Sequence, residues 1–167
     1  LAQLDHGQVL YVDKRNARTP VQMFSQAGKV GPAYCTGVGK AMLAFLDAGA
    51  LDAALAQQSW HGFTHKTVTT AEALRTRLVE IRARGFAFDD EEHEPGIICI
   101  AVPILSATGR VLGALSVTST TDRTSLDRLA QLAKPLQDTA TAIARDAGDW
   151  AFPDTEARTP ALRQGGL

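Results

Sequence analysis

The chain has 167 residues, 45% of them hydrophobic and 21% charged, the proportions of an ordinary soluble globular domain. Seventeen Lys and Arg against eighteen Asp and Glu leave a formal net charge of −1, with no basic stripe of the kind that nucleic-acid-binding modules carry. Two cysteines, without CxxC or Cys/His ligand spacing, exclude a disulfide framework and a zinc site and fit a reducing cytoplasm, and no apolar run reaches the length of a membrane span.

In chain order, residues 8–14 and 21–25 are expected as strands, joined by a polar, Pro-ended connection. Residues 1–5 lack a signal-peptide pattern and an initiator Met and begin in a strand-like run, as in a fragment whose N-terminal part is missing. Residues 32–35 read as extended. A helix starts near Thr36 with Met42, Leu43, Phe45 and Leu46 on one side, breaks at Gly49, and gives way to a short helix through Leu51, Leu55 and Ala56. Thr69-x-x-Glu72 reads as a capping box. It opens a helix with Leu74, Leu78 and Ile81 inward and Gly85 as its stop. Arg75, Arg77, Arg82 and Arg84 share that helix with Glu72 and Glu80, which makes a solvated face. Strands follow at 86–88, 97–105 and 111–118, the last two tightly paired through a turn at 107–110. An amphipathic helix over 125–144 points Leu126, Leu129, Leu132, Leu136 and Ile143 inward, and Pro135 should bend it. Strands joined by short turns, with helices packed on them, predict an α+β domain over 1–147 and a loose tail over 148–167.

Three constellations could carry chemistry. The first is Asp89, Asp90, Glu91, Glu92, His93 and Glu94, running straight into an apolar strand. Clustered carboxylates repel one another, so the run costs stability unless other groups use it. Polar chemistry at the mouth of a hydrophobic core is how many small-molecule pockets are built. Asp89 falls on the opposite face from Phe88 and could accept a hydrogen bond from a ligand hydroxyl. His93 could be a switch, a metal ligand or an ion-pair partner.

The second is Cys35-Thr36-Gly37-Val38-Gly39-Lys40. Free backbone N–H groups and the positive helix end converge at such a start, which suits a carboxylate or phosphate. Alternatively, Gly37 and Gly39 only let the helix start pack tightly. Ala41 follows Lys40, so this is no P-loop. The third is Ser116 and Thr118, which alternate with Leu115 and Val117 and share one face. That face is either a pocket floor beside Cys99 or solvent. Cys99 lies in an apolar strand, where a thiol is inert.

Gly85-x3-Asp89-x2-Glu92-x6-Cys99-Ile100-Ala101-x2-Ile104 resembles the signature of the IclR family of bacterial transcription regulators, in its C-terminal effector-binding domain. Leu10-Tyr11-Val12, Met23-Phe24-Ser25, the glycine-rich helix start from Cys35, and Ser116 with Thr118 agree in order, and the resemblance covers roughly residues 1–146. Leu105 and Ser106 stand where the signature usually has an aromatic or His followed by Asp or Asn. The resemblance implies a GAF-like fold, a curved antiparallel sheet flanked by helices with the effector on its concave face. It implies that the N–H groups of Gly37 and Val38 hold the carboxylate of a small organic acid. Asp89, Cys99, Ser116 and Thr118 would bond the remaining oxygens. No cofactor, metal, membrane or enzymatic activity is implied. The expected assembly is a homodimer or homotetramer, with DNA bound only through a winged helix-turn-helix domain missing from this chain. The alternative is a GAF-like thiol enzyme of the free methionine sulfoxide reductase type, using Cys35 and Cys99. Met23, Met42, Phe63 and Phe88 are expected to line an apolar part of the site, favouring a larger or aromatic acid.

Overall fold

A computed structural model describes residues 1–18 and 23–148. Strands β1 (Ala2–Asp5) and β2 (Gln8–Tyr11) form a hairpin, and β3 (Val30–Pro32) pairs with β2. The β1–β2 turn uses His6 at φ 46 and Gly7 at φ 77, the left-handed pair that matches strand twist in a two-residue loop. Helices α1 (Gly37–Leu43), α2 (Ala48–Ala56) and α3 (Ala71–Arg84) follow. Then come β4 (Ala87–Asp90), β5 (Ile97–Leu105) and β6 (Val111–Thr120), and last α4 (Leu126–Ala130) and α5 (Ala133–Gly148). The six strands make one antiparallel sheet in the order β3-β2-β1-β6-β5-β4.

The sheet separates two apolar cores. On one face α1 packs over β4, β5 and β6, burying Val38, Met42 and Leu43 with Leu74, Leu78 and Ile81 of α3. On the other, α4 and α5 cover Ile98, Ile100, Val102 and Ile104 with Leu129, Leu136 and Ala140. This period-two division of β5 explains why it reads as apolar throughout: both faces are covered. The α+β class is as expected.

Several local expectations are corrected. Residues 21 and 22 lie outside the described residues, and Met23 to Ser25 are not a strand; the partner of β2 is β3, further on. The first long helix ends at Leu43 rather than at Gly49. Asp47 caps the next helix by accepting from Ala50 N–H at 2.8 Å, and Gly49 sits inside its first turn. The cap of α3 is Thr70, whose hydroxyl accepts from Ala73 N–H, not Thr69. Gly85 does end α3, at φ 79. Helix 125–144 is two helices. Pro135 has no N–H and its ring would collide with the carbonyl four residues back, so α4 stops at Ala130 and α5 restarts with Pro135 in its first turn. The expected domain boundary is close to the end of α5; the tail from 149 lies outside the described residues.

Candidate functional site

Register builds the floor of the site. Asp89 of β4 faces Cys99 of β5, which faces Thr118 of β6, so the three form one row across the sheet. The next row is Ala87, Ala101 and Ser116. Paired residues of an antiparallel sheet share a face, so both hydroxyls look toward α1 and not toward α5. Small side chains in the second row let α1 come close.

Two glycines at the start of α1 divide the roles that the sequence left open. A β-carbon at Gly39 would stand 2.3 Å from the Ala33 carbonyl oxygen and 2.4 Å from its Cα, so Gly39 serves packing against backbone. A β-carbon at Gly37 would stand 2.4 Å from Cys99 Sγ, 3.4 Å from Ala101 Cβ and 3.5 Å from Asp89 N. Gly37 therefore lies directly over the Asp89–Cys99 row. Thr36 precedes the helix in extended conformation but does not cap it; its hydroxyl donates to the Pro32 carbonyl at 2.8 Å. Thr36 thus gives α1 no side-chain cap, and the Gly37 N–H lies toward the Cys99 sulfur.

A cavity of about 580 Å³ opens here, bordered by Gly37, Val38, Asp89, Cys99, Ser116 and Thr118 together. All six residues singled out in the sequence border this one space. Leu115 to Ser119 all touch it, because β6 pairs with β1 only at Ala114 and its edge beyond is open among the described residues. Of the four residues expected to supply an apolar wall, only Met23 does. Met42 is buried in the core on α1, Phe88 packs on the α5 side of the sheet, and Phe63 packs against His61, His93 and Tyr34 without bordering the cavity.

The sequence reading missed Tyr11. Its backbone is fixed by bonds to Lys29 and Gly28, and its side chain enters the cavity wall. Burial, with Cys99 and Asp89 nearby, raises its pKa and keeps the phenol a donor. The signal was available: Tyr11 shares a strand face with fully buried Val9, two residues earlier. Asn16, Ser25 and Glu94 add further polar groups to the wall.

The acidic run resolves into separate partners. Asp89 Oδ1 accepts from Glu92 N–H at 2.8 Å and so pins the turn. Lys66 reaches Asp90 at 3.0 Å and Glu91 at 2.7 Å. Glu91, at φ 56, is held by four bonds: N–H to Ile97 O, the carbonyl accepting from the Thr64 hydroxyl, one carboxylate oxygen on Lys66 and the other accepting from Gly96 N–H. Such over-determination is what keeps a non-glycine residue in that region. Glu92 forms a fully buried ion pair with Lys40 of α1. Glu94 accepts from Phe24 N–H at 2.9 Å. His93 sits between the Phe24 and Phe63 rings at 5.0 and 4.7 Å, and burial lowers its pKa. Among the described residues no group of His, Cys, Asp and Glu could hold a metal ion.

Lys14, Arg15 and Arg123 also line the cavity, while beside Gly37 burial favours the neutral forms. Burial pushes the Cys99 thiol up to about 12, with the Asp89 charge acting in the same direction and the N–H groups of Asp89 and Gly37 opposing it. Burial likewise raises Cys35. Burial also pushes Asp89 up to about 7, against the pull of Lys40 and of the Glu92 and His93 N–H groups. Both cysteines are free and buried. No helix among the described residues is long and apolar enough to cross a membrane.

Residues 1–145 match the family described as bacterial transcriptional regulator IclR, C-terminal. The chain is 33% identical over 148 residues to the HTH-type transcriptional regulator XynR of Escherichia coli K12, covering 89% of this chain and 59% of that protein. It is also 33% identical over 153 residues to the HTH-type transcriptional regulator KdgR of the same organism, covering 92% and 58%. The chain thus spans less than two thirds of the length of these relatives. Among solved structures, the Thermotoga maritima IclR superposes with a TM-score of 0.82 at 29% identity, over 88% of this chain and 60% of that one. A double mutant of the inducer-binding domain of the PobR transcription factor from Acinetobacter, in complex with 3-hydroxybenzoic acid, superposes with a TM-score of 0.73 at 29% identity, over 86% of this chain and 85% of that one.

Proposed function

This chain belongs to the IclR family of bacterial transcriptional regulators, as their C-terminal domain, and from that premise we propose that it senses a small organic acid in the cavity beneath α1 and passes occupancy to a separate DNA-binding domain. The observation that carries the reading is the convergence of Gly37, Val38, Asp89, Cys99, Ser116 and Thr118 on one cavity. In this reading the Gly37 and Val38 N–H groups hold the carboxylate. Ser116, Thr118, Cys99 and Asp89 bond the other oxygens, and Tyr11 adds a phenolic donor. The 3-hydroxybenzoic acid in the PobR inducer-binding domain supports a carboxylic acid as the class of effector.

Occupancy acts by favouring one arrangement of the regulator over another, which requires that the acid bind the two arrangements with different affinity. Assembly into a homodimer or homotetramer is part of the proposal, and light scattering tests it. The relatives are regulators and repressors by name, not enzymes. The thiol-enzyme alternative gains nothing here, since burial pushes both thiols away from the reactive thiolate.

A thermal-shift screen of carboxylic acids tests the sensing role. An acid present at about 100 times its Kd should add about 2.7 kcal/mol of stability. A screen in which keto, aromatic and sugar acids all leave the melting temperature unchanged would sink the reading.

A further inference from the structure

A carboxylate entering beside Gly37 meets a buried base that is already committed, and Lys14, Arg15 and Arg123 also line the cavity. Lys40 of α1, 1% exposed, is the buried base of this region, and its ammonium is committed to Glu92, 2% exposed. The second oxygen of Glu92, Oε2, is buried without a hydrogen-bond partner. Asp89 is 6% exposed, in the same wall, with its backbone 3.5 Å from the point where a Gly37 β-carbon would stand. An ionised Asp89 already leaves this cluster with one uncompensated negative charge. The effector carboxylate would add another within a few ångströms. Two carboxylates that share a desolvated site do not both stay ionised.

We propose that this site binds its acid together with a proton, which Asp89 takes up from solvent, so that a neutral Asp89 carboxyl donates a hydrogen bond to an oxygen of the bound acid. The inference rests on the acid-binding reading above. The balance is simple: one carboxylate anion and one proton enter, Asp89 goes from acceptor to O–H donor, and no bond to carbon changes. The groups facing Asp89 are Lys40 from α1, Cys35 just before it, Tyr11 from β2, Cys99 from β5, and Glu92 and His93 from the turn after β4, and Lys14, Arg15, Glu94 and Arg123 border the same cavity. Lys40 and the two turn N–H groups favour the ionised form; burial and Glu92 oppose it and hold Asp89 up at about 7. A second anion pushes the same way as burial. From the sheet the effector then meets neutral donors: the Asp89, Tyr11, Ser116 and Thr118 hydroxyl groups and the Cys99 thiol.

The sign of the pH dependence follows. Below about pH 7 Asp89 is already protonated, no proton is taken up on binding, and affinity is flat. Above it each bound acid brings up to one proton, and affinity falls by up to about tenfold per pH unit.

Acetate is a sufficient probe, because it carries the carboxylate and little else. The 167-residue chain, labelled at aspartate Cγ and backbone nitrogen, is titrated by NMR in acetate and in chloride of equal ionic strength. Acetate should shift the Gly37 and Val38 amide signals and raise the Asp89 midpoint by about one pH unit or more relative to chloride. Shifted amides with an unmoved Asp89 midpoint would overturn the proton uptake and leave the acid site standing. Amides that ignore saturating acetate would overturn both. As a second arm, Asp89→Asn should bind acetate with the same Kd from about pH 6 to about pH 9, while the parent weakens at least about tenfold. An equal loss in both would also refute the proposal.

Discussion

Gly37 and Cys99 are packed so closely that a β-carbon on the first would lie 2.4 Å from the sulfur of the second. The contact joins the start of α1 to β5, beside the edge strand β4, where both residues border the cavity. Glycine is therefore needed here for space, whatever else its N–H does.

Gly37→Ala should lower stability by about 1–3 kcal/mol through overpacking. Adding Cys99→Ala removes the obstructing sulfur and should return most of that loss. Denaturant unfolding of the two single variants and the double variant checks it. Additive losses would mean that the strain at Gly37 comes from elsewhere.

Lys40 and Glu92 are buried partners 52 residues apart in sequence. Lys40→Met strands the Glu92 carboxylate in the core and should cost about 3–5 kcal/mol. Lys40→Met combined with Glu92→Leu should cost much less, since an apolar pair needs no solvation. Melting of the double variant below the single one would show that the pair gives more than mutual neutralisation.

Tyr11→Phe removes one phenolic donor and little volume. It should weaken binding of an acid identified in the screen by about 0.5–1.5 kcal/mol if the phenol meets a neutral oxygen, and by about 1.5–3 kcal/mol if it meets the carboxylate. Calorimetry reads the difference. An unchanged Kd would take Tyr11 out of the site.

Asp89 makes stability depend on pH in a stated direction. Its folded pKa is pushed up to about 7 from an ordinary 3.8, chiefly by burial. Between these values the folded state binds more protons than the unfolded one, so stability falls as pH rises through that window. Asp89→Asn can still accept from Glu92 N–H and should flatten that fall. Parallel thermal melts between about pH 4 and about pH 8 decide it; a parent whose stability rises over the window would refute the assignment.

Cys99, pushed up to about 12 by burial, should react slowly with iodoacetamide at neutral pH in the folded state and faster after denaturation. Fast native labelling, or turnover of methionine sulfoxide with a thiol reductant, would reopen the enzyme reading.

The local signals were legible in the chain itself. Period-two alternation put Ser116 with Thr118 and set Asp89 against Phe88. Gly85 ended its helix, and the β5 and β6 strands stood within two residues of their expected ends. Such features depend on a few neighbouring residues, so sequence suffices for them. The boundaries that failed are those where two local signals compete. Asp47 and Thr70 are caps next to other plausible starts, and Pro135 can bend a helix or begin one.

Only the tertiary structure decided the rest. No local pattern says that Gly39 meets the Ala33 backbone while Gly37 meets Cys99, or that Lys40 ends on Glu92. None says that Tyr11 enters the cavity while Met42, Phe63 and Phe88 stay out of it. Those outcomes depend on pairing across the sheet and on where α1 lands, contacts between residues tens of positions apart. Residue type and spacing state what a side chain can do; the close packing of distant segments decides which partner it finds.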